Sequence, residues 1–255
     1  MGSVGVEVTE PVELAPGVWR AGSELVNWYL VEDEGSVTIV DAGLPRYRPQ
    51  LERALERMGR SLGDVAAIVL THAHADHVGL AEPLRVELGV PVHVHADDEQ
   101  LARTKKAPAK NERSFLPYLR YPFAYRLVGH LIAAGATRID AIGEVTTFED
   151  GATLDLPGRP RVVHTPGHTT GHCALHLPER GVLVAGDEVC TLNPATGSRG
   201  PQLMPRALNL STGTCLDSLT RIENLEADVV LTGHGEPWRD GVAAAVERAR
   251  AAPRV

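Results

Sequence analysis

Within six residues, His72-Ala73-His74-Ala75-Asp76-His77, the chain places three imidazoles and one carboxylate. Imidazole nitrogen and carboxylate oxygen are the donors that borderline divalent ions such as zinc accept. Alternate residues of an extended segment point to the same side, so His72 and His74 can grip one ion while Asp76 and His77 face a neighbouring position. A polar turn with incidental histidines would have no matching donors elsewhere, and here there are several. In Thr165-Pro166-Gly167-His168-Thr169-Thr170-Gly171-His172 the Pro-Gly pair makes a tight turn that aims His168 outward. Ala185-Gly186-Asp187 ends an apolar run with an acid. Gly233-His234-Gly235 ends another with an imidazole between glycines that allow close approach. Singly, each is an ordinary strand-end cap or surface residue; together they bring the set to seven metal-ligand groups, His72, His74, Asp76, His77, His168, Asp187 and His234.

Donors so far apart need a scaffold that gathers them. Val18 to Val31 reads as a strand pair, and Ser36 to Val40 as a buried strand ending at Asp41-Ala42-Gly43. Leu51, Leu55 and Met58 mark a helix over Pro49 to Met58, and Ile68 to Leu70 is a short buried strand delivering the histidine turn. Leu80 to Leu88 reads as a helix and Val90 to Val94 as a strand; segments around Val145, Leu154, Val162, Ala174 and Leu183 read as further strands. Ser211 is an N-cap for a helix carrying Leu216, Leu219, Ile222 and Leu225; Val229 to Leu231 is another buried strand, and Val242 to Ala251 a closing helix. An internal echo links Ile68-Val69-Leu70-Thr71-His72 with Val229-Val230-Leu231-Thr232-Gly233-His234, and Val40-Asp41-Ala42-Gly43 with Val184-Ala185-Gly186-Asp187. Two similar halves facing each other would bring all four turns to one edge.

Composition narrows the function. A net charge of −8 argues against a nucleic-acid partner. Three scattered cysteines, Cys173, Cys190 and Cys215, make no disulfide framework and suit a reducing cytoplasm. The start, Met1 to Gly5, lacks the regions of a signal peptide, and no apolar run is long enough for a membrane span. No linker divides the chain, so a single α/β domain over residues 1–255 is expected.

In the order and types of these motifs, from Asp41 to His234, the chain resembles the metallo-β-lactamase-fold superfamily of metallohydrolases. The resemblance implies a four-layer αββα sandwich of two similar halves. It implies that His72, His74 and His168 hold one metal, that Asp76, His77 and His234 hold a second, and that Asp187 bridges both. The metals would be two divalent ions, most naturally zinc, with iron or manganese as alternatives. Asp41 matches an aspartate that orients ligands rather than binding metal, and His172 is not a ligand there. A hydroxide held between the ions would attack a small ester, thioester or lactone, with Asp76 also orienting water or moving a proton. The set looks most like the glyoxalase II and lactonase branches. It departs from them in having 21 residues after His234 instead of a helical domain for glutathione, and no tyrosine in Glu188 to Leu192 where signalling-lactone hydrolases carry a catalytic one. A different chemistry also fits the resemblance: in persulfide dioxygenases one iron is held by two histidines and an aspartate, a set that His168, Asp187 and His72 or His74 would supply.

From Arg103 to Arg126 there are seven Lys or Arg, one acid (Glu112) and five aromatics. The expectation is a helical insertion over about 97–138 that folds over the metal edge as a lid; the alternatives are a solvated basic surface with an aromatic packing face, or a homodimer contact. Tyr118, Tyr121, Cys190 and Arg199 are the residues expected to line the substrate pocket. The partner expected is a small molecule, with no membrane.

Overall fold

The computed structural model describes residues 8–254; the Met1–Gly5 stretch read above lies outside them. The first half contains β1 (Val12–Ala15), β2 (Val18–Gly22), β3 (Asn27–Asp33), β4 (Ser36–Val40), α1 (Arg48–Arg57), β5 (Val65–Val69), α2 (Ala81–Leu88) and β6 (Val92–His95). A helical stretch follows with α3 (Glu99–Thr104) and α4 (Pro122–Ala133), then β7 (Thr146–Phe148). The second half contains β8 (Arg161–His164), β9 (Cys173–Leu177), β10 (Val182–Gly186), β11 (Cys190–Leu192), β12 (Arg199–Gln202), α5 (Thr212–Ile222), β13 (Val229–Thr232) and α6 (Gly241–Ala251). β1 to β7 form one sheet in sequence order, β13-β10-β9-β8 form the second, and β11 pairs with β12 in a separate ribbon.

Strand alternation explains the layers. On β3, Trp28 and Leu30 join the cluster beneath Leu51, Ala54 and Leu55 of α1, while Tyr29 and Val31 point to the other face. There they meet Leu175, Val182, Val184 and Leu231 from the second sheet. Leu183 and Val230, one residue along, instead pack under Leu219 and Ile222 of α5 and Val242 and Val246 of α6. Three apolar cores thus separate four layers, αββα, because a strand buried on both faces needs a partner on each.

The internal echo is a repeated supersecondary unit. β4 and β5 are parallel, with Val40 beside Val69, and α1 makes the crossover. β10 and β13 are parallel, with Val182 beside Val229, and α5 makes the crossover. Parallel neighbours need such a connection, and both strands of each pair then end at the same edge. β4 and β5 lead to Asp41 and His72; β10 and β13 lead to Asp187 and His234. Cross-sheet bonds hold these ends together: Cys173 N–H donates to Thr71 O at 2.8 Å, and Asn27 N–H to Gly233 O at 2.8 Å. Tyr29, buried between the sheets, donates its hydroxyl to Thr232 O at 2.7 Å.

Some elements differ from the sequence reading. Leu154 lies in no strand; only Thr153 bridges to Arg161 there. The half-exposed edge strand β1 and the short β11–β12 ribbon carry too few apolar residues to stand out by periodicity. Leu231 is fully buried between the sheets, so Leu231→Ala should cost about 2–5 kcal/mol, read as a lowered melting temperature.

Candidate metal centre

The strand ends bring seven donors together. Asp187 Oδ2 lies 3.2 Å from His234 Nε2, 3.3 Å from His168 Nε2 and 3.9 Å from His72 Nε2. Its other oxygen, Oδ1, lies 3.6 Å from His77 Nε2. Asp76 Oδ2 lies 3.6 Å from His234 Nε2 and 3.9 Å from His77 Nε2. His74 Nδ1 is 2.8 Å from His168 Nε2. Three overlapping groups are compact enough to hold an ion: His72-His74-His168, His72-His77-Asp187 and Asp76-His77-His234. Two ligands about 2.1 Å from a tetrahedral zinc are separated by roughly 3.4 Å, the scale of these spacings.

Hydrogen bonds on the far side of the rings turn the donor atoms inward. His77 Nδ1–H donates to Asp41 Oδ2 at 2.9 Å. His72 Nδ1–H donates to Thr71 Oγ1 at 3.1 Å, whose hydroxyl passes the bond on to Asp41 at 2.9 Å. His168 Nδ1–H donates to Asn209 Oδ1 at 3.0 Å, and the Asn209 amide is fixed by its own bond to Met204 O at 3.0 Å. His234 Nδ1–H donates to Leu25 O. Each of these four imidazoles therefore presents Nε2 to the centre, while His74 presents Nδ1. His72 Nε2, His77 Nε2 and Asp187 Oδ1 are buried without a hydrogen-bond partner. Buried polar atoms are seldom left so. A cation among them would satisfy all three, so the residues fit a metal.

His172 is not among the gathered donors. Its Nε2 accepts the backbone N–H of Asp187 at 3.0 Å and its Nδ1–H donates to Thr165 Oγ1 at 2.9 Å, which aims the carboxylate. Gly233 lies so close that a Cβ there would collide with Asp187 Oδ1. Asp41 itself sits at φ +60°, a left-handed conformation that aspartate tolerates better than most residues.

Two positioning residues escaped the sequence reading. Asp98 is fully buried and accepts from Ala73 N at 3.1 Å, Thr169 Oγ1 at 2.8 Å and Gly171 N at 2.8 Å. It clamps the loop of His72 and His74 to the loop of His168. Asn209 is the other. A lone Asp or Asn in a loop carries no local signal of such a role. His95 and His164 stack with ring centroids 4.0 Å apart beside Asp97, away from this centre.

The pocket over the donors has a volume of about 260 Å³. Its floor is His74, Asp76, His168, Asp187 and His234; its walls include Leu127 and Leu131 of α4, Asn111, Pro194, Met204 and Leu208. The 97–138 segment does reach the metal edge, through Asn111, Leu127 and Leu131. None of the four residues expected to line the substrate pocket lines this cavity. Tyr118 packs on Ala195 and Ala207, with Tyr121 against the same cluster, on the other side of the 193–210 loop. Cys190 is fully buried, its thiol directed to Gln202 O at 3.5 Å. Arg199 is held by Glu24. Leu127 and Leu131, one helical turn apart, were legible by spacing but overshadowed by the aromatic cluster.

Burial and the neighbouring imidazoles His77 and His168 push His72 well below the ordinary histidine range. Burial opposes charge on His77 as well, yet Asp41, Asp187 and Asp76 outweigh it and raise that ring well above the range. Burial works against charge on His234 too, and Asp187 overcomes it, so this ring is also raised. For Asp187, burial favours the neutral acid, but His234 and His77 hold the carboxyl well below its usual value. Without a cation, these directions favour protons on His77 and His234 opposite an ionised Asp187.

Fold and donor set together describe a metallohydrolase scaffold. The family model of the metallo-beta-lactamase superfamily matches residues 21–234, and the chain belongs to that superfamily. It is 28% identical over 239 residues to the probable metallo-hydrolase YflN of Bacillus subtilis (strain 168), covering 88% of this chain and 86% of that one. It is 32% identical over 159 residues to a hydroxyacylglutathione hydrolase of Rhizobium meliloti (strain 1021), covering 62% of this chain and 44% of that one. Among solved structures it is similar to a metallo-beta-lactamase family protein from Thermus thermophilus, with a TM-score of 0.66, 30% identity and coverage of 92% of this chain and 79% of that one.

Asp98→Asn puts an amide donor where three donors need acceptors, and should weaken metal affinity about 10–100-fold by competitive chelator titration. A metal must displace the protons on His77 and His234, which are held above the usual histidine value of about 6.5, so apparent affinity should keep rising with pH beyond 6.5. The same shifts stabilise the metal-free fold below the unfolded value and lose that contribution as pH rises through the folded one, which thermal melts of chelated protein across this window would show.

Proposed function

We propose that the chain is a dinuclear, metal-dependent hydrolase acting on a small ester, thioester or lactone. The observation that carries this reading is Asp187, whose two oxygens lie between 3.2 and 3.9 Å from the Nε2 atoms of four imidazoles belonging to two donor sets. His72, His74 and His168 would hold one ion, Asp76, His77 and His234 the other, with Asp187 common to both. Zinc suits this mixture of nitrogen and oxygen donors. When bound, such ions polarise a carbonyl oxygen and lower the pKa of water from about 15.7 towards 7.

The chain's own groups do the rest. Asp76 is the most exposed of the donor carboxylates, at 19%, and lines the pocket, where its free oxygen can orient water or take a proton. Leu127, Leu131, Met204 and Leu208 offer an apolar seat for an acyl group and exclude bulk water from it. Asp41, Thr71, Asn209 and Leu25 O hold the rings so that the donors need not reorganise. The likeness to hydroxyacylglutathione hydrolases favours thioesters among the candidate substrates. The matched region spans less than half of that relative, so a glutathione moiety is not part of the proposal.

Elemental analysis of protein purified without added metal should give about two ions per chain. Asp76→Asn should lower kcat/KM on the best ester or thioester by about 10²–10⁴-fold. About one iron per chain, with oxygen uptake on thiol persulfides and no ester turnover, would overturn this reading in favour of dioxygen chemistry.

A further inference from the structure

The cations of the basic segment do not line the metal pocket; two of the seven, Arg113 and Arg120, face elsewhere, and Arg206 and Arg254 join them from outside the segment. Arg113, Arg120, Arg206 and Arg254 converge with Tyr118 and Tyr121 on a second cavity of about 280 Å³. Among the described residues, no carboxylate lines it. Arg206 is paired with Glu112, whose other oxygen accepts from Thr212 N at 2.9 Å. Among the described residues, Arg113, Arg120 and Arg254 meet no carboxylate, in a chain whose net charge is −8. Arg120 is pre-positioned: it donates to Tyr121 Oη at 2.7 Å, and its guanidinium lies 4.8 Å from the centre of that ring.

Like charges gathered in a concavity repel unless an anion joins them, and the planar guanidinium fork matches phosphate oxygens two at a time. We propose that this cavity is a binding site for the phosphate or diphosphate group of a small molecule, distinct from the metal centre. The wall between the two sites is one layer of chain. Asn111 lines the metal pocket and Arg113 the arginine cavity; Met204 and Leu208 line the former and Arg206 the latter. The two segments are tied by Asn111 Nδ2–H to Ala207 O at 2.7 Å and Glu112 N–H to Asn209 O at 2.8 Å. The anion is either the charged tail of a substrate that crosses this rim or a separate small molecule; the chemistry recognised is the same.

The test is calorimetric titration of the metal-loaded protein with pyrophosphate, in the wild type, in Arg113→Glu, in Arg113→Glu/Arg120→Glu and in Asp187→Asn. The site predicts one binding event that persists in Asp187→Asn, weakens about tenfold in Arg113→Glu and is lost in the double variant, with metal content unchanged in both arginine variants. No binding, binding lost only in Asp187→Asn, or binding indifferent to the arginines overturns it. Arg113 is exposed, so its substitution leaves the fold intact even if the double variant fails to fold. Thioesters with and without a terminal phosphate then separate the two sources. A KM rise in Arg113→Glu confined to the phosphorylated one assigns the anion to the substrate; equal KM values assign it to a separate ligand. Failure of both thioesters to turn over would count against the hydrolase reading and leave the calorimetry standing.

Discussion

Everything in this molecule bends to the burial of one carboxylate among five imidazoles. Asp187 is 3% exposed, and an ionised acid so placed would be expensive without positive charge or polarised N–H groups around it. His234 and His77 beside it favour the ionised carboxyl against the cost of its burial. The arrangement is not self-sufficient, since three ligand atoms still lack partners. Bonds from Asp41, Thr71, Asn209 and Leu25 O orient the rings toward the centre, so taking up a cation needs little rearrangement of them.

The duplicated parallel pair is how a chain of this length achieves that. Each β-α-β unit brings two strand ends to one edge, and stacking the units face to face brings four ends within ligand distance. The first unit contributes Asp41 and His72, and the second Asp187 and His234. The pair is not symmetric in use: Asp187 faces the donors directly, whereas Asp41 lies behind His77 and reaches His72 only through Thr71. Equivalent positions thus serve as donor in one half and as support in the other.

The gathered donors were legible because they rest on short-range signals, β-branched runs that end in Asp or His and a histidine spacing that few structural turns would use; the four-layer arrangement came with the family resemblance that those motifs carry. The repeated apolar runs pointed to two similar halves. Asp98 and Asn209 were invisible for the opposite reason. Their roles arise from tertiary proximity, where Asp98 bonds to residues 25 and more than 70 positions away, and no spacing rule encodes that. The misplacement of Tyr118 and Tyr121 has a physical cause as well. A cluster of aromatic and basic residues does not by itself say which face of its segment meets the metal pocket. The modest apolar stripe of α4, with Leu127 and Leu131, took that face because the space beside the metal edge is otherwise walled by Met204 and Leu208.

Dividing the insertion between leucines and arginines has an electrostatic consequence. Apolar side chains directly over the donors keep the local dielectric low, so every charge interaction at the centre is stronger than it would be beneath a basic lid. Arginines in contact with the donors would instead raise the cost of binding two cations. Placed on the neighbouring cavity, they would lend a positive field to that side of an otherwise acidic protein. Such a field reaches over a Debye length of about 8–10 Å, and an anionic substrate would be drawn to that side. In the proposed scheme the 97–138 segment would contribute to both attraction and catalysis, with Leu127 and Leu131 on the metal pocket and Arg113 and Arg120 on the second cavity.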